Sequence, residues 1–238
     1  MDSRNVALVT AASRGFGRAL TEVLLGRCWT VIGLVRDESA AHSLANAEPG
    51  HCFPVLGDVT ANDVVDRISS ALQNGGGRLD LLVNNAGTGG VANIIETVEP
   101  HELSRLFEVH CLGALRCTKA ALPYLLASRA RIVVNMSSRV GSLRRNAGGE
   151  FAGRGFSYSY RIAKAAQNML TLCLAQELGA RGVSVCAVHP GKLLTDSASV
   201  DADTSPFEAA ARFAKWLDAA GPWVSGLYFD LEAGKEPW

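Results

Sequence analysis

Six short runs of this chain are apolar almost without interruption: VALVT (6–10), TVIGLV (30–35), CFPVLG (52–57), LDLLVN (79–84), RIVVNM (131–136) and VSVCAV (183–188). Strands with one wet face alternate, whereas strands covered on both faces do not. Longer amphipathic stretches lie between the runs, near 16–27, 38–46, 61–74, 101–127, 158–180 and 205–219, and GLYFD (226–230) adds a seventh strand candidate. Such alternation predicts an α/β fold, a single-domain Rossmann-type, doubly wound parallel sheet of about seven strands with helices on both faces. At 238 residues, with 48% hydrophobic side chains, the chain can bury a full core as one domain over 1–238. GGGR (75–78) reads as a helix C-terminal turn.

Charge and cysteine usage exclude several classes. Lys+Arg and Asp+Glu are equal at 23 each, so no global field draws in nucleic acid or an anionic membrane. No apolar segment approaches the ~20 residues of a membrane span, and MDSRNVALVTAAS does not read as a signal peptide. Cys28, Cys52, Cys111, Cys117, Cys173 and Cys186 show no CxxC pairs or metal-ligand spacing, so no metal is expected. A cytoplasmic protein with reduced thiols is the expectation.

Ligands of such a sheet bind beyond the carboxyl ends of its strands. After the first strand, TAASRGFGRAL (10–20) opens a helix at Gly15 and Gly17, which offers backbone N–H groups and the positive dipole end to a pyrophosphate. A tight turn eased by two glycines is the plainer alternative. The second strand ends in VIGLVRDES: Val35 stands where an acid for a ribose 2′-hydroxyl is expected, and Arg36 follows. Arg36, with Arg14 in the turn, suits the 2′-phosphate of NADP, whereas pairing with Asp37 and Glu38 would be purely structural. SSRVG (137–141) follows the fifth strand, and Tyr160 and Lys164 share a helical face at four residues' spacing. Tyr158 has Ile162 at that spacing and makes no such pair. A tyrosine hydroxyl can protonate a carbonyl oxygen that accepts hydride, a serine can donate to the same oxygen, and a nearby ammonium lowers a phenol's pKa from about 10.

Together these segments resemble the short-chain dehydrogenase/reductase family, classical type. The signature TGxxxGxG appears as Thr10, Ala11 in place of the first glycine, Gly15 and Gly17, with Ser13, Arg14 and Phe16 between them. Ala11 is expected to keep an ordinary φ or to need more room beside the cofactor. The resemblance implies that Asp58 and Val59 of GDV contact the adenine, and that Asn84, Asn85, Ala86 and Gly87 of NNAG line the cofactor and steady the sheet. It implies Ser138, Tyr160 and Lys164 as catalytic residues, with Ser137 supporting and Lys164 holding the nicotinamide ribose. In HPGKLLTD it implies that Pro190, Gly191 and Thr195 hold the carboxamide and phosphate. His110 stands where the family places an asparagine, either as a satisfied core histidine or as a proton relay. The ending GLYFDLEAGKEPW resembles sniffer-type carbonyl reductases and C-factor-like proteins.

The implied activity is NADPH-dependent reduction of a ketone or aldehyde, reversible as alcohol oxidation, with NAD the less favoured cofactor. The alternative is an NADP(H)-binding sensor or signalling protein with vestigial chemistry. The implied assembly is a homodimer or homotetramer. Ser138 and Tyr160 stand 22 positions apart, wider than the family norm. The intervening loop, 142–157, is flanked or occupied by Arg139, Arg144, Arg145, Arg154 and Arg161 against Glu150. An anionic substrate drawn in by this loop is one expectation, and a solvated basic surface is the other. A lid over 197–225 is expected to bring Phe207, Phe213, Trp216 and Trp223 either to the substrate mouth or into the core.

Overall fold

The apolar runs become parallel strands because each must be covered on both faces. The computed structural model describes residues 4–194 and 202–238. β1 (Val6–Thr10), β2 (Thr30–Val35), β5 (Ile132–Met136) and β6 (Ser184–His189) are buried at every position. With β3 (Cys52–Leu56), β4 (Leu81–Asn84) and β7 (Tyr228–Asp230) they form seven parallel strands in the order β3-β2-β1-β4-β5-β6-β7. β3 lies at one edge, where Pro54 costs no ladder bond and Phe53 is partly exposed.

An eighth strand joins the seven. β8 (Gly234–Glu236) pairs antiparallel with β7 at the far edge. GKE is too short and too polar to read as a strand; it exists because an unpaired edge next to β7 would leave N–H and C=O groups without partners.

One face is covered by α1 (Gly15–Gly26), α2 (Glu38–Ala45) and α8 (Pro206–Ala219), which set Phe16, Leu20, Leu24, Leu44 and Phe213 against Ala7 and Val9. The other is covered by α3 (Val64–Asn74), α5 (Gly113–Leu126) and α7 (Tyr158–Leu178), which set Ile68, Leu72, Cys117, Leu125 and Leu178 against Leu8, Val133 and Val185. Phe213 is fully buried, and Trp216 packs on Phe213 and Phe229, so two of the four aromatics expected near a lid belong to the core. Phe207 and Trp223 are exposed. Among the described residues no helix is long and apolar enough to cross a membrane.

The helix expected over 101–127 is three pieces: α4 (Pro100–Phe107), one π-helical turn at Glu108–Leu112, and α5. Such a turn inserts one residue into the ladder and rotates the next helix, α5, relative to α4. A second surprise is α6 (Leu143–Ala147) inside the loop 142–157. Ser142 Oγ donates to the Pro237 carbonyl at 2.9 Å, and the Arg144 N–H donates to the Trp238 carbonyl at 2.9 Å. Arg145 pairs with buried Glu236 at 2.6 Å and with Glu150 at 3.0 Å. Trp238 stacks on Tyr228 with ring centroids 5.6 Å apart. The last residues of the chain therefore fasten the inserted loop.

Removing one partner from a poorly solvated ion pair strands the other charge. Glu236→Ala should lower unfolding stability by about 2 kcal/mol in urea titration. The swap Arg145→Glu with Glu236→Arg should recover part of the loss; a cost below about 0.5 kcal/mol for Glu236→Ala would show that the pair holds nothing.

Candidate active site

A cleft of about 1010 Å³ runs along the carboxyl ends of the strands. It divides into two stretches according to the segments that line it.

The first stretch is bounded by the turn after β1. Arg14 is extended and Gly15 has φ +55. The N-terminus of α1 carries no side-chain cap and no acid in its first turn, so the helix does not satisfy its own terminal N–H groups. Gly17 must be glycine: a β-carbon there would meet the Ala11 carbonyl oxygen at 2.3 Å. Ala11 itself has φ +53, which corrects the expectation of an ordinary φ. The turn keeps the shape that glycine favours, and alanine adopts it at a cost of about 1–2 kcal/mol. Ser13, Arg14, Gly15, Phe16 and Gly17 all line the cleft, as do Arg36, Asp58 and Val59.

Two acids near this stretch are accounted for by local turns. Asp37 caps α2 by accepting from the Ala40 N–H at 2.8 Å. Asp58 accepts from the Thr60 N–H at 2.9 Å and the Thr60 hydroxyl at 2.8 Å, both on Oδ1, which leaves Oδ2 outside that turn. Thr10 lies behind the cleft rather than in it. Its hydroxyl oxygen accepts from the N–H groups of Asn85 and Ala86, each at 2.8 Å, and so joins the ends of β1 and β4. Asn85, Ala86 and Gly87 line the cleft, but Asn84 is buried and donates to Asn135 at 2.8 Å and Thr118 at 3.2 Å. Pro190 and Gly191 line the cleft too; Thr195 lies outside the described residues.

Where the turn after β5 meets α7, the expected catalytic residues come together. Ser138, Tyr160 and Lys164 line the same part of the cleft, and the Lys164 ammonium stands 5.8 Å from the centre of the Tyr160 ring. Lys164 Nζ donates to the Met136 carbonyl at 2.6 Å and to Gln167 Oε1 at 3.0 Å. Gly141 lets the serine turn seat on α7: a β-carbon there would lie 2.8 Å from the Lys164 β-carbon. Ser137 Oγ donates to Asn168 at 2.6 Å, a supporting bond. Tyr158 is partly exposed and lies off the cleft.

A family model described as short chain dehydrogenase matches residues 5–205. The chain belongs to the short-chain dehydrogenase family. It is an oxidoreductase of that kind. It is 33% identical to C-signal of Myxococcus xanthus over 162 residues, 68% of this chain and 94% of that one. It is also 33% identical to 3-oxoacyl-[acyl-carrier-protein] reductase of Vibrio cholerae over 191 residues, 80% of this chain and 74% of the relative. An NADPH-bound carbonyl reductase from chicken fatty liver has the same fold, with a TM-score of 0.88, 26% identity and 99% of both chains covered.

The electrostatics of this short-chain dehydrogenase differ from expectation at two residues. Burial raises the Tyr160 pKa above its usual value, and the bond from Ser138 offsets this in part. The Lys164 ammonium, 5.8 Å from the ring centre, is turned toward Met136 and Gln167. Burial lowers Lys164 itself to about 7. His110, on the π turn, is buried 5.4 Å edge-on from the Tyr160 ring. Its Nε2–H donates to the Thr88 carbonyl at 2.8 Å, which leaves Nδ1 as a buried acceptor without a partner among the described residues. Burial, and then the Lys164 charge, lower its pKa to about 3. Near pH 7 the ring is therefore a neutral hydrogen-bonding group.

Gln167, buried and three residues after Lys164, does not stand out in the sequence; the i, i+3 spacing is its one signal. Arg105 and Phe156, which also line the cleft, carry no signal.

Strain and burial each have a measurable outcome. Ala11→Gly relieves the left-handed alanine and should raise unfolding stability by about 1 kcal/mol in denaturant titration. Lys164 binds its proton less readily folded than unfolded, so its burial costs most at low pH, and stability recovers as pH rises from about 7 toward the ordinary lysine value of 10.5. Lys164→Met should therefore raise Tm most near pH 6, with the gain shrinking toward pH 10. A gain independent of pH would show that Lys164 is not the titrating group.

Proposed function

We propose that this protein is an NADPH-dependent reductase of ketones or aldehydes, acting reversibly on the corresponding alcohols. The observation that carries the reading is that Ser138, Tyr160 and the buried Lys164 line one part of the cleft, at the point where the strand-end cradle opens into the rest of it. Two relatives support the direction, one named as a reductase and the other a carbonyl reductase with NADPH bound.

A nicotinamide dinucleotide, when bound, supplies the hydride. The chain's own residues do the remainder. Ser138 and Tyr160 offer two hydroxyl groups that can converge on one carbonyl oxygen, so charge growing there meets a preorganised donor pair. Tyr160 releases its proton to that oxygen. The phenolate left behind is stabilised by protonated Lys164, which has three N–H donors and spends two on Met136 and Gln167. Burial raises the Tyr160 pKa, which keeps the hydroxyl protonated until the oxyanion develops.

NADPH is preferred over NADH because of charge at the end of β2. Val35 is buried where an acid would reject a 2′-phosphate, and exposed Arg36 and neighbouring Arg14 both line the cleft. Asp37, the one counter-signal, is engaged as the cap of α2.

The strained Ala11 favours a second reading, a nucleotide-binding sensor that has lost the need for turnover. One experiment separates the two: NADPH oxidation across a panel of carbonyl compounds, with wild type, Tyr160→Phe and Arg36→Ala compared. The reductase reading expects Tyr160→Phe to lose about 10²–10⁴-fold in kcat. It expects Arg36→Ala to weaken NADPH about tenfold with little change for NADH. Tight NADPH binding without any Tyr160-dependent turnover would leave the sensor.

A further inference from the structure

Packing alone does not account for Gln167. It lies on the buried face of α7 and is 1% exposed. Glutamine is mostly a surface residue, and an aliphatic side chain of the same length would bury there with no polar atom to satisfy. Its amide is only half used. Oε1 accepts from Lys164 Nζ at 3.0 Å, whereas Nε2 is buried with no partner among the described residues. An unmade buried donor costs about as much as a lost hydrogen bond. What the glutamine gives in return is its bond to the lysine.

An ammonium has three N–H donors and no acceptor, which fixes the end of the amide that faces Lys164. Met136, the last residue of β5, supplies a second oxygen at 2.6 Å. Both anchors are rigid. Met136 belongs to a strand buried along its whole length, and the Gln167 backbone is tied to that strand. Its carbonyl accepts from Thr171 Oγ1 at 2.9 Å, and the same Oγ1 accepts from Asn135 Nδ2 at 2.8 Å. The lysine stem is confined as well, because Gly141 brings the serine turn against it: a β-carbon at Gly141 would lie 2.8 Å from that of Lys164. Two N–H groups are thus engaged within the protein. One is left, on a residue that lines the cleft beside Tyr160.

We propose that Gln167 is a positioning residue for Lys164: with the Met136 carbonyl it anchors two N–H groups of the ammonium and so presents the third to the cleft beside Tyr160. The anchoring stands on the geometry. Its consequence for turnover rests on the reductase reading, in which the third N–H meets the Tyr160 phenolate. Other charged and titratable groups lie on the elements packed against this stretch of α7. Burial lowers His110 on the π turn to about 3 and His189 on β6 to about 4. Glu102 on α4 is lowered too, burial being outweighed by the bond from the Val91 N–H. Burial raises Tyr160 and Cys111. Glu108 is paired with Arg116 at 2.7 Å, and the guanidinium groups of Arg105 and Arg139 do not titrate. Comparison with a Lys164→Met background separates the lysine from all of these.

The test follows Tm from about pH 5.5 to 9 for wild type, Gln167→Met and Gln167→Glu, each with and without Lys164→Met. Methionine keeps the length of the side chain and removes the amide, so the packing is spared. The difference made by Lys164→Met is constant below the folded pKa of the lysine and shrinks as pH rises above it, so the bend reads that pKa. In wild type, where burial lowers Lys164, the bend falls at about 7. Loss of an oxygen acceptor disfavours the ammonium, and Gln167→Met should move the bend down by about one pH unit, a tenfold weaker hold on the proton. A carboxylate favours the ammonium, and Gln167→Glu should move the bend up. In NADPH oxidation with a carbonyl compound that wild type reduces, Gln167→Met should lower kcat about tenfold and leave KM within about twofold. It should also bring the alkaline fall in kcat to lower pH, and Gln167→Glu should restore part of kcat.

A bend at the same pH in wild type and Gln167→Met overturns the proposal, whether or not the protein turns over, because the glutamine is then packing only. A wild-type kcat and pH profile kept by Gln167→Met overturns it as well. If Gln167→Met fails to fold, Gln167→Glu decides: an upward shift sustains the proposal and its absence overturns it. A bend that moves down with methionine and up with glutamate, in a protein that oxidises no NADPH, sustains the positioning role and removes the reductase reading instead.

Discussion

The buried ammonium of Lys164 constrains the site more than any other group. Removing an ammonium from water costs several kcal/mol unless its protons are placed. Two of its donors are accounted for by the Met136 carbonyl, at the very end of β5, and by Gln167 one turn further along α7. The consequences spread from there. Position 141 must be glycine for the serine turn to seat against the lysine backbone. Burial, and then the charge of Lys164, favour neutral His110. The sheet end, the serine turn and α7 are thus fixed relative to one another by a group whose solvation the protein had to rebuild.

Features that depend on local periodicity or on spacing along one element are legible in the sequence. Continuous apolar runs show which strands are covered twice, and Tyr160 with Lys164 on one helical face distinguishes the tyrosine that reaches the cleft from Tyr158. Features that depend on what a side chain meets across the fold are not legible. Asp37 looks the same as a ribose ligand and as a helix cap until α2 begins at Glu38. Arg145 reads as one more loop cation until the chain's last residues return and place Glu236 beside it. The π turn at 108–112 leaves no trace in hydrophobic spacing, and β8 is a strand by virtue of the edge it covers. Ala11 misleads for another reason. Substituting alanine at a glycine position invites the inference that the backbone relaxed, whereas Gly17 and Asn85 pack around the turn and hold it to φ +53.

The distribution of partners decides where a neutral protein carries a field. Equal numbers of acids and bases cancel at a distance, but near the surface what matters is which cations have a carboxylate within contact. Arg18, Arg27, Arg67, Arg116, Arg145, Lys192 and Arg212 each have one. Among the described residues that line the cleft, Asp58 is the one carboxylate, and low-dielectric walls strengthen what each charge does there. On the reductase reading, the phosphates of the dinucleotide meet the α1 terminus and Arg36 in that groove. The inserted loop neutralises Arg145 through Glu236 of the C-terminal tail and its own Glu150, and it brings Phe156 to the groove. The same fastening keeps the length between Ser138 and Tyr160 from becoming slack between two residues of one cleft.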